Sequence, residues 1–156
     1  MDRLRWVFLA YRLPREPSTP RITVWRKLRR LGVVQVVDGL IALPLDARTR
    51  ERLEWIADEV VDAGGESSLW IAEAASARIE RELATQMAAA VAAEYATVIA
   101  QAETAADESV THRRRTVARL RREMRRIRAR DFFPPPEGDL AAAAVEGLAT
   151  AVEATA

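Results

Sequence analysis

The chain has 156 residues, 49% of them hydrophobic and 30% charged, with 24 Lys and Arg set against 23 Asp and Glu. That length suits one domain with at most an appendage, the composition is that of a globular rather than a disordered chain, and a net charge of +1 excludes a global field that would draw in nucleic acid. Cysteine is absent and His112 is the single histidine, which excludes disulfides, thiolate catalysis, a histidine metal cluster and a serine triad.

The N-terminal run Trp6–Tyr11 is too short for a signal peptide and is followed by Arg12 and Arg15. No stretch is read as approaching the roughly 20 apolar residues of a spanning helix, so the expected compartment is the cytoplasm, with no membrane partner. Arg5–Tyr11 is apolar and aromatic, the pattern of a buried strand. Leu13-Pro14 and Glu16-Pro17 then force extended or turn backbone. Ser18 or Thr19 can cap a helix with Pro20 in its first turn, and Ile22, Trp25, Leu28 and Leu31 recur at helical spacing until Gly32. Val33–Val37 and Leu40–Leu43 flank Asp38-Gly39, a two-residue hairpin signal because glycine permits the positive φ that such a turn demands. Asp46 is a candidate cap for a second helix with Leu53, Ile56, Val60 and Val61 on one face, closed by Gly64-Gly65. Ser67–Ala72 completes the pattern as a strand, with Leu69 and Ile71 on one face and Trp70 on the other. This order gives an α+β fold, a ferredoxin-like βαββαβ sandwich over residues 1–72, with all four tryptophans expected in the core.

Residues 73–156 read as a helical extension. Between Gly65 and Pro134 there is neither glycine nor proline. Ile79, Leu83, Met87, Val91, Tyr95 and Val98 form one helix seam; Val110, Val117, Leu120, Met124 and Ile127 form a second, narrow a/d stripe suited to one partner helix. A turn is placed at Asp107–Thr111, with one continuous helix as the alternative. Phe132-Phe133 followed by Pro134–Pro136 stops the run, and Asp139–Ala154 reads as a short packing helix.

Three groups of residues could carry chemistry. His112–Arg130 holds ten arginines and the lone acid Glu123. Arg113, Arg114, Arg115, Arg119, Arg122 and Arg126 are therefore candidates for phosphate contact, since guanidinium pairs suit phosphate oxygens. The competing explanation is that these arginines answer Glu73, Glu80, Glu82, Glu94 and Glu103 on the partner helix. Arg26, Lys27, Arg29 and Arg30 on the first helix are a second candidate nucleic-acid surface, or simply a solvated basic face. Arg12, Arg15 and Arg21 surround the N-terminus of that helix and form a candidate anion site, or are ordinary loop arginines. No metal site, cofactor loop or catalytic constellation stands out.

The phrases YRLPREPSTPR, VWRKLRRLG, VVQVVDGLIALP, ERLEWIADEVVDAGGESSLW and RARDFF, in that order, resemble the N-terminal domain of the ChrB chromate-resistance regulators along nearly the whole chain. The resemblance implies a bacterial, chromate-responsive, DNA-binding transcription regulator that is not an enzyme, with operator DNA as partner and chromate as effector. Longer family members carry a C-terminal chromate-resistance domain that these residues are not expected to include. The alternative is accordingly an interaction module that forms a homodimer or docks onto a separate chromate-resistance protein. The sandwich also looks like the domain shared by PaaX-type repressors and small CRISPR-associated nucleases. Those nucleases place a metal-binding aspartate at the end of the first strand, where this chain reads Leu9-Ala10-Tyr11-Arg12.

Overall fold

The computed structural model describes residues 3–155; the outermost residues of the two expected spans, 1–2 and 156, lie outside it. The chain divides into two compact units, Met1–Met87 and Ala88–Ala156.

The first unit holds β1 (Arg5–Arg12), α1 (Thr19–Leu31), β2 (Val34–Val37), β3 (Leu40–Pro44), α2 (Ala47–Asp62) and β4 (Glu66–Glu73). The strands form one antiparallel sheet in the order β2-β3-β1-β4, as the alternation of strands and helices predicts. The Asp38-Gly39 hairpin forms where expected. Gly39 has φ 77°, and a Cβ there would sit 2.7 Å from the Tyr11 carbonyl oxygen, so the residue answers both a conformational and a steric demand. Its own carbonyl accepts the Tyr11 N–H at 2.8 Å. Asp46 caps α2 as predicted, through a capping box in which its carboxylate accepts the Thr49 N–H at 2.7 Å while the Thr49 hydroxyl accepts the Asp46 N–H at 2.9 Å. Ser18 occupies the N-cap position of α1, but its side chain makes no cap hydrogen bond.

Val7, Leu9, Ile41 and Leu43 share the face of the sheet that α2 covers, where the Ser67 hydroxyl donates to the Ala57 carbonyl at 2.9 Å. The opposite face carries Trp6, Phe8 and Trp70, with Trp6 wholly buried. The expectation of four core tryptophans is corrected here. Trp70 is 60% exposed because it stands on the face away from α2, next to the sheet edge; Trp55 is 67% exposed because the α2 seam runs through Thr49, Leu53, Ile56, Ala57 and Val60, and residue 55 projects away from it. The same geometry leaves Val61 exposed. On α1, Val24 and Leu28 are buried at i, i+4 spacing, whereas Ile22, read as part of the inward face, is exposed.

The second unit is helical. α3 (Ala77–Ala105) begins in the first unit and ends in the second, followed by α4 (Val110–Ala129) and α5 (Glu137–Thr155). The break at residues 106–109 excludes the continuous helix: Ser109 caps α4 by accepting the His112 N–H at 3.2 Å. Val91, Tyr95, Val98, Ala102 and Ala105 of α3 pack with Val117, Leu120, Met124 and Ile127 of α4 and with Ala141, Val145 and Leu148 of α5. The a/d stripe of α4 thus serves two neighbours rather than one. The last helix is also not short: it runs 19 residues, because its alanines form a continuous apolar side with Val145, Leu148 and Val152. The expectation that no stretch approaches a spanning helix is corrected by α3, which alone among the described residues is long and apolar enough by length and composition, with a mean hydropathy of 1.3 over its best 18-residue window. Its alanines supply much of that value, and Val91, Tyr95 and Val98 are buried in the three-helix core.

Leu120 is fully buried at the centre of that core. Leu120→Ala should destabilise the chain by about 2–5 kcal/mol, read from a urea unfolding midpoint. Trp55→Gln, which removes an exposed ring, should stay within about 0.5 kcal/mol of wild type.

Candidate nucleic-acid interface

The buried stripe Thr116, Val117, Leu120, Met124, Ile127 fixes the rotation of α4, and at about 100° per residue every other side chain has a determined bearing. Arg121 projects toward α5, where Nε and Nη2 meet the two carboxylate oxygens of Glu146 at 3.1 and 2.9 Å. This paired fork raises the Arg121 pKa and lowers that of Glu146, in both cases chiefly through the hydrogen bond. On the other flank Arg130 grips Glu94 of α3 through Nε and Nη2 at 3.2 and 2.7 Å, and Arg119 donates to the Gln101 carbonyl oxygen at 3.0 Å. Arg113 is half-buried and donates to the Thr155 hydroxyl at 3.3 Å.

Arg114, Arg115, Arg122 and Arg125 point the remaining way. All four are exposed, and none has an ion pair among the described residues. Arg126 lies beside them, its only acid the neighbouring Glu123 on the same helix at 3.3 Å. The row therefore runs twelve residue steps from Arg114 to Arg126, about 18 Å along the axis. Of the five acids that sequence reading set against these arginines, two are engaged elsewhere: Glu82 pairs with Arg78, and Glu80 accepts the Leu4 N–H. Glu94 alone among them pairs with an α4 arginine, and the other pairing acid is Glu146 of α5, which that reading did not consider. Arg125 was not among the predicted contacts, although its position one turn after Arg122 and opposite Leu120 is readable from the heptad spacing.

In the first unit, Arg26, Arg29 and Arg30 are exposed on α1, and Lys27 is joined to Glu59 of α2. Arg12 ends β1 and pairs with Glu66 across the sheet at 2.7 Å; Arg15 stands in the bend and Arg21 in the first turn of α1, both exposed. Among the described residues no three His, Asp or Glu side chains gather as a metal site.

The C-terminal end of α4 is held by a buried phenol. The Tyr95 hydroxyl donates to Asp131 Oδ2 at 2.8 Å, and the ring lies where a Cβ on Gly138 would come within 3.2 Å, so the start of α5 passes against it. Burial, then the bond to Asp131 and its charge, push the Tyr95 pKa up to about 12, with Arg128 opposing.

The family model for Protein ChrB, N-terminal, matches residues 21–112. Protein ChrB of Cupriavidus metallidurans is 27% identical over 133 residues, which cover 83% of this chain and 40% of that protein. The chain thus spans well under half the length of the curated relative it matches. No solved structure matches it.

A raised phenol pKa means that the folded state holds its proton more tightly than the unfolded chain. The stability Tyr95 contributes should be intact below its ordinary value of 10.0 and be lost as the pH climbs from there toward about 12. Urea midpoints across that window should fall more steeply for wild type than for Tyr95→Phe, and equal slopes would contradict the assignment.

Proposed function

The chain belongs to the ChrB N-terminal family, and from that membership and the arginine row of α4 we propose that it is a cytoplasmic, non-enzymatic regulator of a chromate-resistance operon that binds DNA. The observation that carries this reading is the row Arg114, Arg115, Arg122, Arg125. An outward helix face with four guanidiniums that have no ion pair among the described residues is electrostatically uncompensated there, and a polyphosphate backbone is the ligand whose charge density matches it. The flanking arginines hold α4 against its neighbours and so keep the row presented on a rigid element. Contacts of this kind position a protein on a duplex without reading bases, so sequence preference has to come from other surfaces, for which the exposed Arg26, Arg29 and Arg30 of α1 are the candidates. Chromate enters as the effector that weakens the complex.

A second reading, a module that pairs with another copy or with a separate chromate-resistance protein, draws support from the exposed Trp55 and Trp70, large apolar surfaces of the sort that partners cover. Light scattering on the purified chain, and copurification with the product of a neighbouring gene, address it.

The DNA reading is tested by mobility shift against a duplex from the operon's own promoter. Four phosphate contacts predict a salt slope near −3.6 and a loss of about 100-fold between 50 and 200 mM salt. Arg122→Glu with Arg125→Glu should weaken binding at least about tenfold and flatten that slope, since each lost phosphate contact removes about 0.9 from it. Arg21→Ala should leave the slope within error. Absence of binding at low salt, or indifference to the double reversal, overturns the reading.

A further inference from the structure

A second polar feature of α4 lies on a different strip from the outward row. His112, Thr116 and Arg119, at i, i+4, i+7, face Thr97, Gln101 and Thr104 of α3, also at i, i+4, i+7, across a groove of about 330 Å³ that Ala100 and the buried Ala105 also line. No carboxylate is among the lining side chains, which is uncommon in a chain with 23 acids and sets the groove apart from its surroundings.

The hydrogen-bond inventory of the groove is unbalanced. Arg119 uses one Nη1 hydrogen on the Gln101 carbonyl oxygen, which orients the Gln101 amide with its NH₂ donors free and leaves further guanidinium donors unused. Thr116 is only 5% exposed, yet its hydroxyl has no hydrogen bond among the described residues although it borders the cavity. His112 adds an imidazole at the mouth. On the α3 side the pattern inverts: the Thr97 and Thr104 hydroxyls donate to the Ala93 and Ala100 carbonyls at 3.2 and 3.0 Å, so only their lone pairs face the groove.

We propose that this groove is a binding site for a small tetrahedral oxyanion that carries a proton. The guanidinium of Arg119, the Gln101 amide and the Thr116 hydroxyl donate to its unprotonated oxygens, and the Thr97 or Thr104 oxygen accepts from its O–H. Hydrogen phosphate and hydrogen chromate meet that pattern; sulfate, without a proton near neutral pH, meets only its donor half. The site stands on the geometry of the groove, while its use by an effector rests on the regulatory reading above.

The test is isothermal titration of the full chain with phosphate, chromate and sulfate in turn, at low ionic strength and at about pH 6, where phosphate and much of the chromate carry a proton and sulfate does not. Saturable binding of phosphate and chromate is expected, each at least fivefold tighter than sulfate. Thr116→Val keeps the shape and removes the hydroxyl, and should weaken both by at least fivefold. Gln101→Glu, an exposed change that gives Arg119 an internal carboxylate, should abolish binding while thermal melting stays unchanged. No saturable heat with any of the three anions, or affinities that neither substitution alters, overturns the site; sulfate binding as tightly as phosphate overturns the protonated form. DNA binding is measured on the same samples by mobility shift. A chain that binds phosphate through Thr116 but not DNA keeps the site and loses the regulatory reading, and the converse result does the reverse.

Discussion

The arrangement of the second unit depends on one constraint, the burial of a narrow apolar stripe on a helix whose every other surface is cationic. Val117, Leu120, Met124 and Ile127 remove their side chains from water only if α4 sits between α3 and α5 at a single rotation. With ten arginines on so short a segment, any other rotation would bury charge at a cost of several kcal/mol per unpaired ion. The hydrophobic term therefore selects the rotation, and the charges follow from it. Each arginine's environment is a consequence of its angle from Leu120.

Those angles sort the arginines into kinds. At the margins of the stripe a guanidinium can reach a neighbouring helix, and there the chain supplies Glu146 on one side and Glu94 and Gln101 on the other. Pairs this exposed contribute little to stability, of order 0–1 kcal/mol each. Their larger effect is geometric, because a two-point fork resists rolling of the helix. Opposite the stripe the four arginines have no ion pair among the described residues. Four guanidiniums within a few turns repel one another across water, so the row costs the folded chain some stability.

Much of the fold was legible because its punctuation is local. Asp38-Gly39, the Asp46 cap and the absence of glycine and proline between residues 65 and 134 each act through a few adjacent residues, and each produced the expected element. What depended on the bearing of a face was less legible. Trp55 and Trp70 read as core because tryptophan is apolar, yet the rotation of α2 and the uncovered side of the sheet decide their exposure. Ile22 failed for the same reason: a Val24–Leu28 pair competes for the same interior and wins by one residue of phase. The length of α5 was hidden by its alanines, which mark no amphipathic boundary. At the candidate interface the abundance of arginine was visible from composition, but its division into paired and unpaired sets required Glu146, which lies in a segment that had been read only for packing.

The groove between α3 and α4 shows why that division matters beyond one surface. Arg119 stands about 100° from Leu120, on the margin of the stripe that Thr116 and His112 border, and Arg115 and Arg122 follow it on the way to the outward row. An anion held by Arg119 therefore sets negative charge on one margin of the cationic row, within a distance over which screening by physiological salt, with a Debye length near 8 Å, is incomplete. Such a charge lowers the local potential that a phosphate backbone would encounter. No helix has to move for the two sites to oppose each other; proximity on one rigid cylinder is enough. Because coupling of this kind is reciprocal, the affinity lost by DNA on binding of the oxyanion would equal the affinity lost by the oxyanion on binding of DNA. The same buried stripe that orients the arginines thus sets how far an occupant of the groove would act upon them.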